Sequence, residues 1–261
     1  MMKINSLNKV IVITLLMVFS LQSCTKDNAT NDLENLISAN QQTTGTSAND
    51  LLSDVTFKSL IIEVAYVDGF SPTQEAIDNF VSFLDNRTHK PDGISVITTL
   101  LPSSGNSTYT TQDIVAIEDA NRTAYNSDDQ IAVWAFFSDV ESASNSNNSV
   151  VLGTAYRNTS FVIYEKTIHE FSNSSFEPNR SMLETTVITH EFGHILGLTN
   201  LGTDMQTPHE DTEHQKHCNV ESCLMYWSSE TGSGIDNLMD SGSALQLDAQ
   251  CVADLQANGG K

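Results

Sequence analysis

Five residues, His190-Glu191-Phe192-Gly193-His194, read H-E-x-x-H. On a helix, four residues make slightly more than one turn, so both imidazoles project from one face and can share a metal ion. Glu191 stands beside them, placed to touch a water on that ion without being a ligand itself. A catalytic zinc lowers the pKa of such a water to roughly 7, and a neighbouring carboxylate can take its proton as the water attacks a carbonyl. The competing reading is an amphipathic helix with two incidental histidines. Only seven histidines occur in 261 residues, so chance gives this pattern with a probability on the order of 1% and the metal reading is preferred.

A catalytic zinc takes three protein ligands and keeps one position open. Gly197 follows His194 by three residues, as in metzincin peptidases, but the next ligand position of that signature holds Asn200, a poor zinc donor. Further histidines stand at 209, 214 and 217. His217 is followed by Cys218, four residues, Cys223, Leu224 and Met225. This H-C-x4-C-x-M string after H-E-x-x-H-x-x-G resembles the archaemetzincin family of zinc metallopeptidases, over about residues 181 to 226. Relative to that pattern the chain carries an insertion covering about Leu198 to Lys216. The resemblance implies His190, His194 and His217 as Zn2+ ligands, Glu191 as general base and Met225 as the residue of the turn beneath the metal. His209 and His214 stay open as alternatives for the third ligand, and Met225 reads equally well as a core methionine. The family also binds a second, structural zinc through four cysteines. The later C-x-x-C pair is missing here, so no second zinc is expected.

These residues need a frame to hold them. Ser181 and Glu184 have capping-box spacing and Pro178 lies just upstream, which predicts a helix from about Met182. Ile188, Phe192 and Ile195 give it an apolar face distinct from the histidine face. Gly197 is placed to end it. Upstream, strands are predicted at 57–67, 94–101, 131–137, 150–156 and 160–164, with helices at 72–84 and 113–125 and a polar loop over 139–148. The alternation gives an α/β (α+β) domain with a mixed twisted sheet. The resemblance makes it a metzincin-like zincin domain with an active-site helix and a C-terminal Met-turn subdomain. It also implies that Leu152 to Tyr156 is the strand beside an extended substrate, against the plain alternative of a structural hairpin.

The chain opens with Lys3 and Lys9, an apolar run from Val10 to Leu21, and then Leu21-Gln22-Ser23-Cys24. This reads as a secretory signal, too short for a membrane span, ending in a bacterial lipobox with Cys24 lipidated. The expected organisation is a signal peptide over 1–24, a disordered polar tether over 25–54 and a zinc metallopeptidase domain over 55–261. The expected location is the cell envelope, as a membrane-anchored lipoprotein of the outer membrane or cell surface. In an oxidising compartment the remaining cysteines would form one disulfide, with Cys218–Cys223 as the candidate and Cys251 left over or pairing with either.

The formal charge is −21, from 33 acidic and 12 basic residues. Phosphate binding needs a basic surface, so nucleic acid is excluded as a partner. Asp128-Asp129 is expected to be a solvated turn rather than a calcium site. The leading functional expectation is a zinc-dependent endopeptidase acting on protein or peptide. A zinc hydrolase of a non-peptide amide or ester, and a surface binding protein with a vestigial site, are the alternatives.

Overall fold

The structure is a computed structural model that describes residues 34–146, 149–174, 177–232 and 242–261. Cys24 and the apolar run before it lie outside the described residues. Ser59–Val67 (β1) and Gln130–Phe137 (β4) are rich in β-branched and aromatic residues; β4 is buried along almost its whole length and β1 along most of it. Such strands belong in the middle of a parallel sheet covered on both faces. The sheet runs β2-β1-β4-β7-β6, where β2 is Ile94–Leu101, β6 is Gly153–Arg157 and β7 is Ser160–Ile163. The first three pairings are parallel, and β6 returns antiparallel to β7 at the edge.

Side chains alternate across β1 and β4. Leu60, Ile62, Ile131, Val133 and Phe137 enter one apolar cluster, and Ala65, Val67, Trp134 and Phe136 enter another on the opposite face. The first cluster is covered by Gln74–Arg87 (α2) and by Arg180–Ile195 (α5), the predicted metal helix. Phe80 of α2, Phe161 of β7 and Phe192 of α5 meet edge to face, with centroids 5.1 to 6.4 Å apart, and lock α5 against the sheet. Thr111–Asn121 (α3) lies on the other side, where Ile114 joins the second cluster. The short helices Glu165–Glu170 (α4) and Ala249–Ala257 (α6) complete the domain. The expected α/β class is what is observed.

Three expectations need correction. Residues 34–54 are folded, not a tether. Ala48–Leu52 forms a helix (α1) whose Leu51 and Leu52 are fully buried in the core. Asn40 is fully buried as well: its Oδ1 accepts from Asn126 N at 3.0 Å, and its Nδ2 donates to Ala132 O at 3.1 Å. Gly45, at φ +85°, passes so close to Leu201 that a Cβ would stand 1.7 Å from its carbonyl oxygen. A polar stretch packs here by hydrogen bonding, which a hydrophobicity reading does not register.

Second, the Ser181/Glu184 capping box does not form. Asn179 is the N-cap and accepts from Ser181 N at 2.9 Å. Glu184 instead reaches α2, where its Oε2 accepts from Thr73 N at 2.9 Å. Third, the loop at 139–148 contains a two-residue strand, Glu141–Ser142 (β5), paired with Thr108–Tyr109 (β3).

Candidate metal centre

Helix α5 is buried along nearly its whole length, and only a helix carried inside the domain can present two histidines to an interior site. His190 and His194 project together, with Nε2 atoms 3.1 Å apart. Beyond His194 the helix closes on Gly197 at φ +74°, as its sequence position implies, with Leu198 N donating to Gly193 O at 3.2 Å.

The inserted segment then returns His217. Asp211 N donates to His217 O at 2.7 Å, and Asn219 N to His209 O at 2.8 Å, so the stretch pairs with itself around residues 209–219. The His217 ring ends 5.4 Å from that of His190 and 5.0 Å from that of His194. Glu230, at the end of the 3-10 turn Trp227–Glu230, closes the group, and one donor atom from each of the four residues lies within 4.8 Å of all the others.

Backbone carbonyls set the imidazole tautomers. His190 Nδ1 lies 2.7 Å from Leu224 O, and His217 Nδ1 lies 3.1 Å from Gln215 O. A proton on each Nδ1 donates to its carbonyl and leaves the Nε2 lone pair facing the others, the arrangement a metal ligand requires. His217 Nε2 is buried with no hydrogen-bond partner. Burial pushes the His194 imidazole down to about 4, which favours the neutral form that binds a cation. Three convergent imidazole lone pairs fit zinc.

Glu191 is fully buried beside this group. Its Oε2 accepts from Ala155 N of β6 at 2.7 Å, and its Oε1 has no partner. Gly153 makes room for it, since a Cβ there would stand 2.6 Å from Glu191 Oε1. Burial, and then the Glu230 carboxylate, raise Glu191 well above the usual carboxylate range. Burial alone would raise Glu230 too, but the three imidazoles that face it outweigh burial and hold that carboxyl well below its ordinary value.

Met225 is fully buried beneath α5, where a Cβ on Gly193 would stand 2.2 Å from its sulfur. The other residues weighed as ligands lie elsewhere. Asn200, at φ +71°, donates to Glu210 Oε2 at 2.6 Å. His214 stacks on Trp227 with centroids 4.2 Å apart, and its Nδ1 sits 2.9 Å from Asp211 Oδ2. His209 is buried between Asp254 Oδ2, 2.7 Å from its Nε2, and Cys218 Sγ, 3.4 Å from its Nδ1.

The cysteines form a second group. Cys218, Cys223 and Cys251 are free thiols in the structure, not a disulfide and a leftover, and they gather with Asp248 within 4.8 Å of one another. Cys223 Sγ lies 3.6 Å from Cys251 Sγ, far beyond a bond yet close to the sulfur–sulfur spacing of about 3.7 Å that tetrahedral zinc imposes. Hydrogen bonding from Cys218 and Cys251 pushes Cys223 down to about 4, as a ligating thiolate requires. Three thiols and a carboxylate fit a closed, structural zinc site. The sequence signal was Asp248-Ala249-Gln250-Cys251, a C-x-x-C spacing with aspartate in the first place. Glu230 carried no such signal, because its position depends on a turn after Met225.

No family model matches the chain, and no curated protein matches it. Among solved structures, the archaemetzincin of Methanopyrus kandleri superposes with a TM-score of 0.49 at 17% identity, covering 77% of this chain and 96% of that one.

Proposed function

We propose that this chain is a zinc-dependent endopeptidase. The observation that carries the proposal is the convergence of the His190, His194 and His217 lone pairs beside a buried carboxylate with one unpartnered oxygen. Zinc held by those imidazoles would supply Lewis acidity toward a scissile carbonyl and would lower the pKa of water to about 7. The chain's own part is proton handling and orientation. Glu191 Oε1 is the atom free to accept a proton from water and later return it to the leaving amine. Burial raises its proton affinity above that of an ordinary carboxylate. Ala155 N fixes the other oxygen, so the carboxylate cannot rotate away. Strand β6, last in the sheet order, offers backbone for an extended peptide to pair with.

The test is Glu191→Gln. Zinc content and fold should be retained while turnover on a casein or gelatin panel falls by about 10²–10⁴-fold. A variant that hydrolyses the panel as wild type does would refute the mechanism. For location, we propose lipid anchoring at Cys24 in the cell envelope, supported by the Leu-x-Ser-Cys string alone and checked by metabolic labelling with a fatty acid.

A further inference from the structure

Glu230 is not needed to make a three-histidine site, yet it sits inside one. Its Oε2 lies 3.6 Å from His190 Nε2 and 3.8 Å from His194 Nε2, and its Oε1 lies 3.3 Å from His217 Nε2. The two longer separations exceed ordinary hydrogen bonds. They match something else. Four donors around tetrahedral zinc, at bonds of about 2.1 Å, stand about 3.4 Å apart. With the 3.1 Å separation of His190 and His194, Oε2 and the two helix imidazoles draw three edges of such a tetrahedron, and the other carboxylate oxygen faces His217.

The carboxylate is held there by backbone. Leu152 N donates to Glu230 O at 2.9 Å, Val151 bridges Thr231, and Gly232 N donates to Val150 O at 3.1 Å. Trp227, at the other end of the same 3-10 turn, is clamped by His214. The pairing at 150–152 lies just ahead of β6, so the segment that carries Glu230 occupies backbone beside the edge where a peptide would bind.

From this geometry we infer that Glu230 is a fourth protein ligand to the ion held by the three histidines, and that the resting centre is therefore closed. The inference rests on the zinc reading above. Zinc with four protein donors is the structural arrangement, whereas catalysis needs an open position. The Glu230 carboxylate must therefore leave its place before substrate can enter, and the backbone pairing of 230–232 with 150–152 is the latch that keeps it.

The experiment compares wild type, Glu230→Ala, Glu230→Gln and His190→Ala as full chains. Zinc affinity is measured by competition with a chromophoric chelator. The visible spectrum of the cobalt(II) form is followed as acetohydroxamate is added. Loss of Glu230 should weaken zinc binding by about 10–100-fold, and acetohydroxamate should alter the cobalt spectrum at concentrations at least about tenfold lower than in wild type. The near-isosteric Gln variant, with metal-free thermal unfolding as a control, separates ligation from misfolding. Wild-type zinc affinity and an unchanged acetohydroxamate response in both Glu230 variants would overturn the inference while leaving the three-histidine site standing. A His190→Ala chain that binds zinc with wild-type stoichiometry and affinity would overturn both readings.

Discussion

Gly193 is the residue through which the metal helix and the turn beneath it touch, and its replacement by alanine tests that contact. A Cβ at 193 would stand 2.2 Å from Met225 Sδ and 3.1 Å from Met225 Cε. Ordinary contact is about 3.5–4.0 Å, so the sulfur would have to retreat by roughly 1.5 Å inside a fully buried site. Overpacking of this kind costs about 1–3 kcal/mol, against a gain of about 1 kcal/mol for alanine over glycine in a helix. Gly193→Ala should therefore leave the metal-free chain unchanged to about 2 kcal/mol less stable. In a Met225→Ala background the obstacle is gone and the same change should stabilise by about 1 kcal/mol. A double-mutant cycle by urea denaturation should then give a coupling of about 1–3 kcal/mol. The carbonyl that orients His190 belongs to Leu224, next to the displaced methionine, so zinc affinity should fall by about tenfold as well. Equal stabilisation by Gly193→Ala in both backgrounds, with zinc affinity unchanged, would refute this account of the turn.

Two further outcomes follow from buried groups. Glu165 and Glu184 are buried against each other, and burial raises both carboxyls. A raised carboxyl gives stability that is fully present below its unfolded value near 4.5 and is lost as pH climbs through the folded value. Thermal midpoints of wild type should fall from pH 5 to pH 8, and Glu165→Gln should lessen that fall. Each tenfold difference in proton affinity is worth about 1.4 kcal/mol, and parallel slopes for the two proteins would reject the assignment. For the thiol group, elemental analysis should find that Cys223→Ser loses one metal equivalent that His190→Ala retains, with a lower thermal midpoint. Unchanged stoichiometry in the serine variant would show that the thiols bind no metal.

Local pattern exposed the metal helix early, because H-E-x-x-H, the apolar spacing of Ile188, Phe192 and Ile195, and Gly197 all act within a few turns. The strands were legible for the same reason, and Ile94–Leu101 is observed with the bounds read from sequence. Besides Glu230, three things were not legible. Glu184 has capping-box spacing from Ser181, but a partner 111 residues away, Thr73, takes its carboxylate. Asn40 and its neighbours look like solvent-loving chain, and their burial depends on acceptors on β4 that only the fold supplies. Asp248 breaks the C-x-x-C pattern that marks a thiolate site, although a carboxylate can replace a thiolate at zinc. In each case the deciding interaction is tertiary, while the misleading cue is local.

The early start of the folded body has a mechanical corollary. If Cys24 carries a lipid, only residues 25–33 intervene before the described chain begins. Nine residues span at most about 30 Å even when fully extended, about the width of a small domain. A domain on so short a leash would stay within the layer next to the bilayer.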